Sequence, residues 1–231
     1  MHETDFIYEY KKELVEFYSP YFTYEFELEE FLSDTFDYEY GSLEVRQMIF
    51  QVQRFVSLAE DIDIIRPGRD SLKITFLRTG LESLFFLSGY NKSQKKQFFE
   101  NFCGFFSDKG KKYILENFKL SNFEDEYKGL VFDACHNMEL IDFLNIMKAT
   151  RDFVVHDGEY WGMDFFTDDE DITTVATMET EKDLLSTYKY HRTEKFKTTY
   201  IFDTTLNYEK FIFYFVEACV NFIKDFKKST N

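Results

Sequence analysis

Leu140-Ile141-Asp142-Phe143-Leu144-Asn145-Ile146-Met147-Lys148-Ala149-Thr150-Arg151-Asp152-Phe153-Val154-Val155-His156-Asp157-Gly158 sets apolar residues at 140, 143/144 and 147, the spacing of one helix face. The pattern predicts a helix from about Met138 to His156. Asp157-Gly158 supplies its stop, because Gly158 is free to take the positive φ of the residue that follows a helix. Arg151, Asp152 and His156 stand beside that stop. Only four histidines occur in 231 residues, and this one closes an apolar run instead of lying in a polar loop.

The same periodicity extends outward on both sides. Val45, Met48/Ile49, Val52, Phe55/Val56 and Ala59 form a helical stripe over 43–61, and Asp63 to Asp70, with Pro67-Gly68, reads as a break. A second helix is expected from Asp70 or Ser71 to Leu87, ending at Ser88-Gly89. Asn91 or Ser93 caps a third, with the stripe Phe98/Phe99, Phe102 and Phe105/Phe106. Shorter helices are expected over 108–118 and 123–135. Tyr208, Phe211/Ile212, Phe215, Cys219, Phe222/Ile223 and Phe226 define a last amphipathic helix. Residues 22–28 alternate strictly, which suits a half-buried strand, with a helix as the alternative. Residues 164–183 hold eight acids and one lysine and read as an exposed loop, with a short helix an option; Thr-, Tyr- and Phe-rich 185–203 suggests a β-hairpin with its tip near His191 to Lys195. The expected fold is mainly α: a multi-helix bundle with a small β-hairpin insertion before the last helix. One domain spans 1–231, with an acidic aromatic extension (1–42), a helical core (43–160 and 207–227) and the insertion (162–205).

Composition narrows the class. Thirty Phe and sixteen Tyr against one Trp imply a bulky, Phe-rich core, and only two Pro and nine Gly disfavour a fold built from many tight turns. Cys103, Cys135 and Cys219 are far apart and form no C-x-x-C pair, so they read as buried thiols of a reducing compartment. The acidic N-terminal residues show no apolar signal core, and the apolar run 211–223 is interrupted by Glu217 and Asn221. A soluble, cytoplasmic protein without a membrane partner is expected.

A net charge of −16 argues against a broad nucleic-acid footprint, since backbone binding depends on cations that release counterions. The charge is uneven, however. Residues 1–40 carry twelve acids and two lysines, whereas 91–119 carry seven lysines and three acids. Lys189, Arg192, Lys195 and Lys197 face only Glu194 within 189–197. Most such runs are solvated faces. The basic ones still leave room for RNA on one local surface, where Lys92, Lys95, Lys96 and Arg192 are the candidate contacts.

Arginine binds phosphate in a planar, two-pronged fashion, and histidine exchanges protons near neutral pH. In RNA the 2′-hydroxyl is a built-in nucleophile, so Arg151 and His156 suffice without a metal for internal transesterification. A histidine in the last turn also feels the negative end of the helix dipole, which favours its protonated form. Five residues separate the two, about 140° around an α-helix, so they do not stack as an i, i+4 pair. They can border one groove, most readily one closed by a second subunit.

Arg, a polar residue, a short apolar spacer and then His near a helix end resembles the signature of HEPN domains, the higher eukaryotes and prokaryotes nucleotide-binding superfamily. Here it reads Arg151-Asp152-Phe153-Val154-Val155-His156. The resemblance covers the motif and the helical layout of about 43–160 and 207–227. It implies a metal-independent, cofactor-free endoribonuclease with catalytic Arg151, His156 and Asp152. It also implies a homodimer whose two Arg–His sets meet in one cleft, and a prokaryotic setting of toxin–antitoxin or phage-defence systems, with an antitoxin or defence protein as partner. The R-x4-H-x-Y variant is absent, since the nearby tyrosine is Tyr160.

Other sites are poorer. His136 follows Cys135, but sequence neighbours point to different sides. Asp168-Asp169-Glu170-Asp171 lacks the spacing of a calcium loop, no phosphate-binding Gly-rich loop occurs, and His2 and His191 read as exposed and idle. The alternative reading is a non-catalytic helical scaffold that dimerises or docks a partner. In it Arg151 and His156 are neutralised by acids, and residues 1–40, with thirteen Phe or Tyr, serve as a contact surface or simply as a bulky core element.

Overall fold

The computed structural model describes residues 3–37, 39, 41–120, 138–158, 163–166, 172–179 and 197–230. The expected helix over 123–135, the hairpin tip, Arg192, Cys135, His136, Tyr160 and the acidic run 168–171 lie outside them. The chain is mainly helical: α1 (Glu3–Tyr18), α2 (Glu25–Phe36), α3 (Leu43–Ile65), α4 (Asp70–Leu87), α5 (Lys95–Phe102), α6 (Asp108–Asn117), α7 (Leu140–Asp152) and α8 (Tyr208–Thr230). Strands β1 (Phe118–Leu120), β2 (Ile172–Glu179) and β3 (Lys197–Thr204) form one antiparallel sheet in the order β1-β3-β2. Two compact units can be distinguished: Met1–Ser57, Thr79–Ser107 and Ile212–Asn231 form the first, Leu58–Arg78 and Asp108–Phe211 the second.

In the first unit the aromatic content becomes a packed cluster. Phe98 meets Phe85 at 5.4 Å and Phe222 at 5.5 Å between ring centroids, both edge-to-face, the arrangement that the ring quadrupole favours. The acidic N-terminal segment belongs to this core. Leu14, Tyr18, Leu28, Phe31 and Leu32 are buried, and the Tyr18 hydroxyl donates to the Ile49 carbonyl at 2.8 Å. Burial pushes the Tyr18 hydroxyl well above its ordinary pKa. On the outer side, Lys227 reaches the Asp34 carboxylate and the Glu30 carbonyl. The alternation over 22–28 is helical from Glu25 onward, so the strand reading fails there. Tyr24 and Phe26, taken as a buried strand face, are exposed, and of that set Leu28 alone is buried.

Helix α4 starts and stops where its punctuation places it, whereas the third stripe is α-helical only as far as Phe102, with a 3₁₀ turn over Cys103–Phe105 and Phe106 extended. Gly89 has φ +77 just past α4, and Asn91 accepts from the Ser93 N–H at 3.0 Å to begin a short 3₁₀ turn that leads into α5.

The second unit is built around α7, which is opened by a reciprocal cap between Glu139 and Asp142. Leu140, Phe143, Leu144, Ile146, Met147 and Ala149 are all buried, so α7 is enclosed on most sides rather than along one stripe. Phe143 packs edge-to-face on Phe118 at 5.2 Å and on Phe211 at 5.5 Å. The antiparallel pair before the last helix is present, with Ile172 opposite Thr204 and Glu179 opposite Lys197. Its first strand is Ile172–Glu179, in the stretch read as an acidic loop. β-Branched Ile172, Thr173, Thr174 and Val175 outweigh the acids on either side.

A buried charge cluster also holds this unit. The Lys73 ammonium lies 2.7 Å from Asp63, 2.9 Å from Asp70 and 4.4 Å from the Tyr208 ring centre, while Asp70 accepts the Phe165 N–H at 2.8 Å. Burial, reinforced by the Asp70 carboxylate, holds the Asp164 carboxyl above its ordinary pKa. An aspartate raised in this way weakens the fold at neutral pH, and the loss is recovered as pH falls through the raised value. Asp164→Asn is therefore expected to raise the melting temperature at pH 7, with the gain shrinking to nothing in acid, as a thermal scan across pH will show. Lys73→Ala leaves Asp70 without its cation and is expected to cost about 3 kcal/mol in denaturant unfolding.

Candidate functional site

The motif lies where α7 leaves the core. Thr150 is fully buried, Phe153 nearly so, and between them the Arg151 side chain is 17% exposed. Beyond Asp152 the backbone does not continue as an α-helix. Residues Phe153–Asp157 form a wide π turn, closed by the Gly158 N–H on the Phe153 carbonyl five residues back. Gly158 ends it with φ +67 and ψ +19, the left-handed stop expected at this residue.

The wide turn changes the geometry expected of the pair. Closure from i to i+5 puts roughly 4.4 residues in a turn, so each residue advances by about 80° instead of 100°. The angular offset between Arg151 and His156 falls from about 140° to about 80°. Phe153 goes inward, Val154 is half-buried, and Val155 and His156 are exposed, Val155 at 55%. The spacer expected to be an apolar interior is therefore buried only at its start.

Arg151 Nη1 lies 3.0 Å from Asp152 Oδ1, and the Asp152 side chain is 36% exposed. The neutralising partner envisaged in the scaffold reading is thus present. An ion pair of this exposure is worth about 1 kcal/mol or less, whereas a charge-assisted contact to phosphate is worth about 1.5–3 kcal/mol. His156 is the only histidine among the described residues, and no group of three or more His, Cys, Asp or Glu side chains there is placed to hold a metal. No described helix is long and apolar enough to cross a membrane.

Lys92, Lys95 and Lys96 fall in the first unit, whereas the motif is in the second. Lys92 is exposed, Lys95 is paired with Glu82 at 2.9 Å, and exposed Lys96 lies 3.8 Å from Glu100. The +4 count over 91–119 thus overstates the charge on offer, because part of it is met by acids from the same and a neighbouring helix. Two buried cations escaped the sequence reading, Lys73 and Arg78. Arg78 is 1% exposed and donates from Nη1 to the Leu144 carbonyl of α7 at 3.4 Å. Its signal is positional: it stands four residues after Ile74 and three before Leu81, on a stripe otherwise apolar. Comparison of the chain with protein-family models, curated proteins and solved structures gives no match.

A Cβ added at Gly158 meets no atom within 4 Å, so substitution there is strained through φ alone. Gly158→Ala is expected to lower stability by about 1 kcal/mol in denaturant unfolding, and Gly158→Asn by less, since asparagine tolerates the left-handed region.

Proposed function

We propose that the chain is a metal-independent endoribonuclease of HEPN type, acting through Arg151 and His156 as a toxin or phage-defence effector. The observation that carries this reading is the wide turn Phe153–Asp157. It ends the most enclosed helix of its unit and leaves His156 exposed, and a turn of that width has an idealised angular offset between residues 151 and 156 smaller than that of a regular α-helix. Such one-turn widenings disrupt the regular i to i+4 ladder and are frequent at functional sites.

In this reading Arg151 exchanges Asp152 for the scissile phosphate and stabilises the charge that develops on it. His156 moves the proton between the attacking 2′-hydroxyl, the phosphate and the leaving 5′-oxygen. Asp152 holds the guanidinium in place until substrate arrives. Exposed Val155, next to His156, gives a second copy an apolar contact at the same turn, in keeping with a cleft shared by two subunits.

The Arg151–Asp152 pair equally favours a second reading, a HEPN-like scaffold that dimerises or binds a partner without catalysis. The two separate on RNA ends. Wild-type protein is expected to leave 2′,3′-cyclic phosphate termini, with His156→Ala and Arg151→Ala each reducing the cleavage rate by about 10²–10⁴-fold at unchanged melting temperature. A wild-type protein that cuts no cellular RNA, alone or with its neighbours, supports the scaffold.

A further inference from the structure

The first unit carries an aromatic pair that contributes to neither its core nor its helix caps. Tyr24 and Phe26, at the start of α2, are 58% and 63% exposed. Their rings stack on each other at 5.5 Å with planes 18° apart. Tyr24 occupies the N-cap position in extended conformation and makes no capping hydrogen bond, where Ser, Thr, Asp or Asn would satisfy an orphan N–H. Phe26 sits in the first turn, where a polar side chain would leave less apolar surface in water. Both positions therefore hold residues that stability does not favour.

The surroundings define what the rings can take. Glu25, Glu27, Glu29 and Glu30 follow in the first turns of α2, and the first two offset the positive end of its dipole. Glu25 and Glu29 make no ion pair among the described residues. The chain itself fills the adjacent ring with a cation: the Lys224 ammonium lies 4.2 Å from the centre of Phe22. No cation of the described residues lies over Tyr24 or Phe26. A spacing of 5.5 Å is too small to admit a planar group between the rings, which needs roughly 7 Å for two van der Waals contacts. A ligand must stack on an outer face. An RNA base is flat enough to do so, but its phosphates would meet four glutamates.

We propose that the exposed Tyr24–Phe26 pair, flanked in sequence by the exposed Glu25 and Glu29, is the docking site for an arginine-bearing basic segment of a partner protein. A guanidinium stacks on the ring face while its N–H groups reach the glutamates, which an ammonium does less well. Near the pair in sequence, Tyr21 stacks on partly exposed Phe213 at 5.2 Å.

Binding of the full chain to a labelled arginine-rich peptide, measured by fluorescence anisotropy, tests this independently of RNA cleavage. Wild type is expected to bind it several-fold more tightly than a lysine peptide of equal charge, and not to bind single-stranded RNA through these rings. Tyr24→Ala with Phe26→Ala is expected to weaken peptide binding about tenfold with the circular dichroism unchanged. Tyr24→Asn is the sharper variant. It supplies the missing cap and so should raise the melting temperature while lowering peptide affinity. Glu25→Gln with Glu29→Gln should weaken binding and flatten its salt dependence. Equal affinity of wild type and the double alanine variant, equal affinity for the arginine and lysine peptides, or RNA binding lost on Tyr24→Asn would each overturn the proposal.

Discussion

The enclosure of α7 governs the second unit. A helix buried on most sides can carry polar chemistry only where it emerges, and α7 emerges at its C-terminal end. There the chain must bring Arg151 from a largely buried position to a solvent-facing His156 within five residues. A regular α-helix would carry the histidine about 140° away from the arginine. The wide turn takes up the difference, and the left-handed Gly158 releases the chain immediately afterwards. Burial of Phe153 anchors the start of the turn, so one apolar side chain fixes the placement of the polar residues that follow.

Much of this was legible in the sequence, for reasons that can be named. Helices α4 and α7 combine apolar residues with end signals, and α8 carries its stripe with an Asn207 side chain accepting the Lys210 N–H at its start, so local and tertiary preferences agree there. The site residues were legible because histidine is rare in the chain. The widened turn was not. Nothing in Phe153-Val154-Val155 distinguishes a π turn from an α-helix by periodicity, although two adjacent β-branched residues at a helix end are uncomfortable in regular α geometry. Residues 22–28 misled because their alternation of aromatics and acids imitates a strand pattern, while the aromatics at 24 and 26 are on the surface. Strand β2 was hidden by acidic neighbours that set the composition of the stretch without setting its backbone. Lys73 and Arg78 were invisible as buried cations, since beside the local Asp70 their burial involves partners from other elements: Asp63 and Tyr208 for Lys73, Leu144 for Arg78.

The charge of −16 also acquires a distribution. Part of the acidity is structural, since Asp34 holds Lys227 in the first unit and Asp63 and Asp70 hold Lys73 in the second. Another part flanks the exposed rings of α2. On the endoribonuclease reading, a chain this acidic has little cationic surface to offer phosphate, so recognition would fall to Arg151 itself.

The account stands on Arg151 and His156 acting on one phosphate. The direct measurement is NMR of the His156 imidazole and the Arg151 Nε–H during titration with a 2′-deoxy oligonucleotide analogue, which can bind but lacks the nucleophile. Saturable movement of both signals with one affinity, with the histidine movement lost in Arg151→Ala and the arginine movement weakened in His156→Ala, is the predicted result. Signals that stay still, or that move with different affinities, would contradict it.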